Sequence, residues 1–153
     1  MDAVVREARR DDVPRIVELL ADDDLGRGRE EIGPPLPQVY WAAFEALDAD
    51  PRHLLLVAES DGTVVGTLQL SLIPGLSRRG AERGQIEAVR VAGDARGTGV
   101  GGLLVGHAIE LARARGCRLV QLTTDARRAD AHRFYSRLGF APSHVGMKLD
   151  LRG

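Results

Sequence analysis

The sequence contains one cysteine, Cys117, so no internal disulfide can form. No cluster of cysteine and histidine has the spacing of a zinc site, and we expect no metal. The 21 basic residues almost cancel the 22 acidic ones, which argues against an electrostatic nucleic-acid binder. The apolar runs are too short for a membrane span, and the first residues lack the apolar stretch of a signal peptide. We therefore expect a cytoplasmic protein whose partners are neither nucleic acid nor membrane.

Lysine is also nearly absent: Lys148 is the only one, and every other basic residue is arginine. This bias is typical of a GC-rich genome, and we expect a bacterial protein. The 153 residues, of which 44% are hydrophobic and 28% charged, have the size and composition of one globular domain. There is no room for a separate substrate domain.

Period-two apolar alternation and continuous apolar runs predict six strands, separated by helical patterns. The predicted strands are Val4–Arg9, Leu54–Ala58, Val64–Leu72, Gln85–Val91, Leu119–Thr123 and Val145–Leu151. Gly116 and Gly139 are placed to end two helices. The order predicts a mixed α/β fold, in which helices cover a sheet.

A glycine-rich segment, Arg96–Gly102, follows a predicted strand and opens a helix. Glycines allow close backbone approach, and a helix start offers unpaired N–H groups to an anion. A Walker A loop would need Lys and then Ser or Thr after the last glycine, and both are absent. Gly97, Gly99 and Gly102 do fit a dinucleotide fingerprint with Asp125 further on, but only 51 residues follow Gly102, too few for two βαβαβ halves. A turn without ligand is the remaining alternative.

The segment from Arg96 to Gly101, RGTGVG, matches the Q/R-x-x-G-x-G/A signature of the GNAT superfamily of N-acetyltransferases. Val91 stands where that family places a strand-end valine. Residues 131–140 resemble the family's A-x-x-F-Y-x-x-x-G-F helix and turn. The chain therefore resembles a GNAT protein over nearly its whole length. The resemblance implies one acetyltransferase domain over residues 1–153, with a mostly antiparallel sheet and a splay between two parallel central strands.

The resemblance implies acetyl-CoA as co-substrate, bound at the splay. The backbone of three strand residues would pair with the pantetheine arm: Val89, Arg90 and Val91. Main-chain amides would hold the pyrophosphate: Gly97, Thr98, Gly99, Val100, Gly101 and Gly102. Arg96 would add positive charge near the phosphates, or it is an ordinary surface arginine.

Tyr135 matches the family tyrosine that protonates the departing thiolate, and a phenol near pKa 10 can protonate a thiolate whose acid has a pKa of about 8.5. The alternative is a packing role. Alternation along the strand places Glu87 on the same face as Val89 and Val91. Glu87 matches a carboxylate that takes a proton from the amine, or else it is a structural partner. His107 and His132 are weaker base candidates on helices. The family's asparagine seven residues before the tyrosine is replaced by Arg128, whose role the sequence leaves open.

The sequence thus predicts acetyl transfer from acetyl-CoA to a primary amine of a small molecule or peptide, by direct attack in a ternary complex. A non-catalytic acyl-CoA-binding module is the alternative, and a dinucleotide-binding oxidoreductase is a third. The loops Asp22–Pro37, which is acidic, and Ile73–Gly84, which is basic, are expected to select the acceptor, but neither names it. A homodimer is expected from the resemblance alone.

Overall fold

The computed structural model describes residues 1–23 and 25–152. Five strands form one sheet in the order β1-β2-β3-β4-β5. The strands are β1 (Val4–Glu7), β2 (His53–Ser60), β3 (Thr63–Ile73), β4 (Arg83–Val91) and β5 (Leu119–Leu122). Neighbours are antiparallel except β4 and β5, which run parallel. The predicted fold class, a mostly antiparallel sheet flanked by helices, is confirmed.

The helices are α1 (Val13–Ala21), α2 (Gln38–Asp48), a single turn α3 (Ser77–Gly80), α4 (Val100–Arg115) and α5 (Ala129–Arg137). Helix α4 packs on one face of the sheet so closely that a Cβ on Gly66 of β3 would lie 2.8 Å from Leu104. Helices α1 and α2 cover the other face, where Val17 and Phe44 form a cluster that Leu55 of β2 joins. Within the described ranges, no helix is long and apolar enough to cross a membrane.

Helix α4 shows how the sequence sets an element's bounds. Gly99 precedes it at φ 92° and Gly116 follows it at φ 88°, both in the left-handed region that only glycine adopts without strain. The predicted role of Gly116 as the residue that ends the helix is confirmed, because its N–H is bonded to the carbonyls of Ala112 and Arg113.

The two parallel strands separate part-way along β4. Hydrogen-bonded pairing with β5 covers Arg83–Ile86 of β4 against Leu119–Leu122, and it ends there. Strand β4 continues through Val91 with β3 as its neighbour. In the described part of the chain, residues 87–91 therefore have an edge that faces no strand. The predicted splay is confirmed.

The predicted last strand, Val145–Leu151, is wrong. Residues 141–152 form no strand, and the side chains of Val145, Met147, Leu149 and Leu151 are 84–91% exposed. The alternation is present, but a strand also needs a neighbouring strand to take its backbone hydrogen bonds, and none of the described residues supplies one. Strand β5 is consequently the edge of the sheet, so only one of the two parallel strands is internal.

Candidate active site

A bulge in β4 sets which side chains face the site. Gln69 of β3 opposes Glu87 and Thr67 opposes Arg90, so two steps along β3 match three along β4. The extra residue is Ala88, whose φ is 55°. Because Thr67 and Gln69 share a face, Glu87 and Arg90 share it too. The expectation that Glu87 lies on the same strand face as Val91 is therefore wrong, since Val91 opposes Gly66 on the α4 face.

The glycine-rich segment lies directly after the free part of β4. A 3₁₀ turn, Gly93–Ala95, leads from the strand into it, and the Thr98 hydroxyl donates a hydrogen bond to the Ala95 carbonyl. Gly97 has φ 78° and Gly99 φ 92°, so a side chain at either position would strain the backbone. The sequence has glycines here because the chain makes a turn that other residues adopt at a cost.

The start of α4 has the features of an anion site. The first N–H groups of any helix have no partner within the helix. In α4 no described side chain caps them either, so they are available to a ligand. A Cβ built on Gly97, Gly99 or Gly102 would meet nothing within 4 Å, and the space above these backbones is open. Gly101 differs, because a Cβ there would lie 3.2 Å from the Phe134 ring. The open space above the glycine backbones and the positive end of the helix dipole are both suited to binding a pyrophosphate.

Arg96 connects three parts of the site. Its Nε donates to the Val91 carbonyl at 3.3 Å, and its Nη2 donates to the Asp22 carbonyl at 3.3 Å. The side chain is 59% exposed and pairs with the Asp22 carboxylate only at 4.0 Å. Arg96 therefore joins the end of β4 and the residue after α1 to the glycine-rich segment, while its charge stays at the surface.

Helix α5 brings Tyr135 to the same end of β4. Phe134 packs on Gly101, and the half-buried Tyr135 ring makes edge-to-face contacts with Phe134 and Phe140 at 5.0 and 5.8 Å between ring centres. Burial raises the pKa of the Tyr135 phenol, and the positive charges of Arg90 and Arg128 offset part of that rise. The phenol is therefore protonated at neutral pH, and the guanidinium groups of Arg90 and Arg128 are close enough to interact with it electrostatically.

Asp23 holds these two arginines. Its Oδ2 lies 2.7 Å from Nη1 of Arg128 and 3.4 Å from Nε of Arg90, and its Oδ1 accepts from the Gly26 N–H. Burial alone would raise the pKa of Asp23, but the amide of Gly26 and the two arginines hold it below its ordinary value. The Arg90 Nε is buried and makes no hydrogen bond with any described residue. One carboxylate thus serves two guanidinium groups, and the buried Arg90 Nε and Asp23 Oδ2 form an ion pair at 3.4 Å without a hydrogen bond between them.

Sequence reasoning missed this cluster. The acidic loop Asp22–Pro37 is expected from the sequence to help select the acceptor, but its Asp23 is mostly buried and pairs with arginines from β4 and from the residue before α5. Asp23 is far from Arg90 and Arg128 in the sequence, so no local pattern indicates that they are in contact. Replacement of the family asparagine by Arg128 was the one sign that this corner differs. Asp24, the next acidic residue, lies outside the described residues.

The other candidate bases are more exposed. Glu87 is exposed on β4. His107 is an exposed residue of α4, and the His132 ring lies 3.1 Å from the Asp125 carbonyl, near the start of α5. An apolar cleft of about 120 Å³ lies between helices α1 and α2 and the sheet, with Tyr40, Phe44 and Ala88 in its wall. Across the two described ranges, no group of three His, Cys, Asp or Glu could hold a metal.

The profile of the acetyltransferase (GNAT) family matches residues 13–140, which include the splayed strand, the glycine-rich segment and α5. The chain belongs to the GNAT family of acetyltransferases. It is 36% identical to an aminoalkylphosphonate N-acetyltransferase of Salmonella typhimurium, over 70% of this chain and 69% of the relative. It is 31% identical to a glucosamine 6-phosphate N-acetyltransferase of Trypanosoma brucei brucei, over 87% of this chain and 93% of that protein.

The fold of this acetyltransferase also superposes on a crystal structure of a transcriptional regulator from Bacillus halodurans C-125. The TM-score is 0.96 and the identity 46%, and the superposition covers 98% of this chain and 100% of the other. Together with the family match, the N-acetyltransferase relatives show an enzyme that transfers acetyl groups from acetyl-CoA to amines. Nothing in the comparisons favours a non-catalytic module or a dinucleotide-binding oxidoreductase.

Proposed function

We propose that this acetyltransferase moves the acetyl group directly from acetyl-CoA to a primary amine within a ternary complex, at the splay between β4 and β5. The observation that carries the proposal is the free edge of β4 from Glu87 to Val91, which ends beside the uncapped start of α4. An open strand edge can bond an extended polar chain, and the helix start can bond a pyrophosphate. These two features lie next to each other along the chain.

In this proposal the backbone of Val89, Arg90 and Val91 holds the pantetheine arm, and amides from Gly97 to Gly102 hold the pyrophosphate. Arg96 positions the segment through its bonds to the Val91 and Asp22 carbonyls. Its exposed charge adds attraction for the phosphates. Two positive-φ glycines with open space above them support this arrangement, because a β-carbon there would occupy the volume that the phosphates need.

Tyr135 is the proposed acid. Its phenol is half-buried and protonated at neutral pH, so it can donate a proton as the sulfur departs. Arg90 and Arg128 lie close enough to Tyr135 to affect its pKa, and the same positive charges favour a developing negative charge on sulfur.

Glu87 is the proposed base. It lies on the face of β4 that also carries Arg90. Its carboxylate is exposed, which favours proton transfer from the amine through a water molecule rather than through a dry contact. In this proposal Glu87 acts on the attacking amine and Tyr135 acts on the departing sulfur, so the base and the acid act on different atoms.

We further propose that the acceptor amine also carries an anionic group. Arg90 and Arg128 share the single carboxylate of Asp23, so the cluster has an excess positive charge and a buried Arg90 Nε without a hydrogen bond. Two relatives are named for acceptors with a phosphonate or a phosphate. Asp23 already pairs with two arginines, so its charge is not free to attract a cationic acceptor.

Matched acceptors test both parts of the proposal. Two pairs of acceptors are compared, 2-aminoethylphosphonate with ethanolamine and glucosamine 6-phosphate with glucosamine. Their acetylation is measured by the free thiol of the CoA released. Hydrogen bonds to charged groups contribute about 1.5–3 kcal/mol, so the anionic member of at least one pair should have a kcat/KM roughly 10- to 100-fold higher.

Variants assign the preference to a residue. Arg128→Gln should reduce it, whereas Arg127→Gln should not, because Arg127 is exposed and pairs with Asp125. Equal rates within both pairs would overturn the anionic acceptor and leave acetyl transfer standing. Binding of acetyl-CoA without acetylation of any amine in a broad panel would instead support the non-catalytic acyl-CoA-binding module.

The proposal also covers what surrounds the site. We take residues 1–153 as one acetyltransferase domain, and we place it in the cytoplasm of a bacterium as a homodimer that uses no metal. Gel filtration with light scattering tests the oligomeric state. Activity that persists in a chelator at saturating acetyl-CoA would agree with a reaction that uses no metal.

A further inference from the structure

A polar cavity of about 260 Å³ lies at the start of the two parallel strands, at the end of β4 opposite to the glycine-rich segment. Three arginines line it: Arg78 from α3, Arg83 at the first position of β4 and Arg118 immediately before β5. Arg83 pairs with Leu119 in the sheet, and the Arg118 N–H donates to the Glu82 carbonyl. The backbone of the two strands therefore brings two of the three arginines together. We call this cavity the arginine pocket.

The positive charge of the arginine pocket is not balanced within it. The guanidinium groups of Arg78, Arg83 and Arg118 make no hydrogen bond or ion pair with any residue that the structure describes. The acidic residue in the wall, Glu82, already pairs with Arg115 at 3.3 Å. Like charges around one cavity repel each other, and a bound anion would relieve that repulsion. The chain as a whole has a net charge of −1, so this excess of arginine is a local feature.

The backbone that carries Arg78 is held in an unfavourable conformation. Arg78 at φ 54° and Arg79 at φ 61° both lie in the left-handed region, which is costly for residues with a β-carbon. The Arg83 guanidinium lies against the same loop, because a Cβ on Gly75 would be 3.6 Å from its Nη1. Backbone strain of this kind is concentrated at ligand and active sites. Here the strained turn forms one wall of the arginine pocket.

The arginine pocket is separate from the proposed reaction site. Glu87 follows Arg83 by four positions on β4, which is about 13 Å at the rise of an extended strand. Val91 follows it by eight positions, about 25 Å away. A two-carbon aminophosphonate is too short to span the first distance, and phosphates at the start of α4 lie beyond the second. The ligand of the arginine pocket is therefore a molecule of its own.

We propose that the arginine pocket binds a small anion with two or more negative charges, of the class of tricarboxylates and phosphate esters, in addition to acetyl-CoA and the acceptor. Guanidinium groups match carboxylate and phosphate oxygens through paired, parallel hydrogen bonds. The volume of the pocket is just below the usual range for small-molecule sites, about 300–1,000 Å³, so its ligand is a small one. The site does not depend on the proposed acyl-transfer chemistry.

Calorimetry on the full-length chain tests the pocket, with citrate and inorganic pyrophosphate as probes. Acetyl-CoA is present at saturation, so that its own phosphates occupy the start of α4. The wild type should bind at least one probe, and Arg78→Gln and Arg118→Gln should each raise its Kd roughly 10- to 100-fold, the usual effect of losing a hydrogen bond between charged groups. Arg79→Gln is the matched control, with Kd within about twofold. Arg79 is the next residue of the same turn and has the same backbone conformation, but it does not line the pocket.

Four results would overturn the proposal or separate it from the proposed function. Binding of neither probe would exclude the site, and equal losses in Arg78→Gln and Arg79→Gln would indicate general attraction by surface charge. A loss confined to Arg128→Gln would place the anion at the Asp23 cluster. Acetylation of the acceptor panel should stay within about twofold in Arg78→Gln. A parallel loss would agree with selection of the acceptor by the loop Ile73–Gly84 and would overturn a separate site. Anion binding by a chain that acetylates no amine would leave this inference standing and overturn the proposed function.

Discussion

Gly99 and Gly116 offer a matched pair of substitutions at the two ends of α4. Gly99 precedes the helix at φ 92°, ψ 0°, and Gly116 follows it at φ 88°, ψ 17°. A Cβ at either position would meet nothing within 4 Å. Alanine therefore introduces the same backbone strain and no clash at either site. The two positions differ in one respect: only Gly99 faces the proposed pyrophosphate site.

The expected cost in stability is equal for the two variants. A left-handed conformation costs an ordinary residue roughly 1–2 kcal/mol, and in a chain of this size each kcal/mol lowers Tm by about 2–4 °C. Both Gly99→Ala and Gly116→Ala should therefore melt about 2–8 °C below the wild type. Any larger loss of stability in one of them would indicate a clash that the structure does not contain.

The expected effect on acetyl-CoA is different. The methyl group at Gly99 would lie in the open space above the α4 start, where the phosphates must approach the backbone. We expect the Kd of acetyl-CoA to rise at least about tenfold, equivalent to 1.4 kcal/mol, in Gly99→Ala and to stay within about twofold in Gly116→Ala. Calorimetry measures both, with circular dichroism as the control for folding. Equal affinities in the two folded variants would refute the placement of the pyrophosphate.

The remaining predictions concern the residues that surround the reacting groups. Tyr135→Phe keeps the ring contacts and removes the hydroxyl, so kcat should fall roughly 10²–10⁴-fold with acetyl-CoA affinity nearly unchanged; wild-type kcat when chemistry limits the rate would assign Tyr135 to packing. Glu87→Gln should lower turnover at neutral pH and remove the acidic limb of the pH–rate profile, and an unchanged limb would place the base elsewhere. The pKa of Asp23 is lower in the folded than in the unfolded chain, so its stabilisation is full above the unfolded value near 4 and is lost as pH falls through the folded value. Asp23→Asn should therefore lose most stability at pH 6–8, and its difference from the wild type in urea unfolding should shrink below about pH 4; a constant difference across this range would contradict the ion pairs.

Sequence patterns of a few neighbouring residues were sufficient to predict both ends of α4. The glycine-rich segment, the start of α4 and the αL residue Gly116 follow from backbone freedom, which a sequence states directly. The splay followed from resemblance, and the ends of the β4–β5 pairing confirm it.

The bulge at Ala88 was not predictable by the same reasoning. Glu87, Val89 and Val91 alternate regularly through it, and an alanine gives no turn signal, so the pattern predicts an unbroken strand. Asp23 was misjudged because its partners lie 67 and 105 positions later in the chain, at Arg90 and Arg128. Periodicity states which face a side chain takes but not what lies opposite it, and the predicted strand Val145–Leu151 was wrong for that reason as well.

The single extra residue in β4 divides the strand into two parts, and the alternation of side chains between the two faces of the sheet is inverted from one part to the other. Up to Glu87 the side chains keep the alternation of the sheet, and after Ala88 every side chain takes the face that its neighbour would otherwise have had. Deletion of Ala88 would leave a regular strand of eight residues in which Glu87 still opposes Gln69 and Arg90 still opposes Thr67. In a strand that kept Ala88 but had no bulge, Arg90 would instead turn into the apolar layer beneath α4 and Val91 toward Asp23. The positive charge at the reacting end of the enzyme thus takes its face of the sheet because β4 absorbs one residue more than β3 in the bulge.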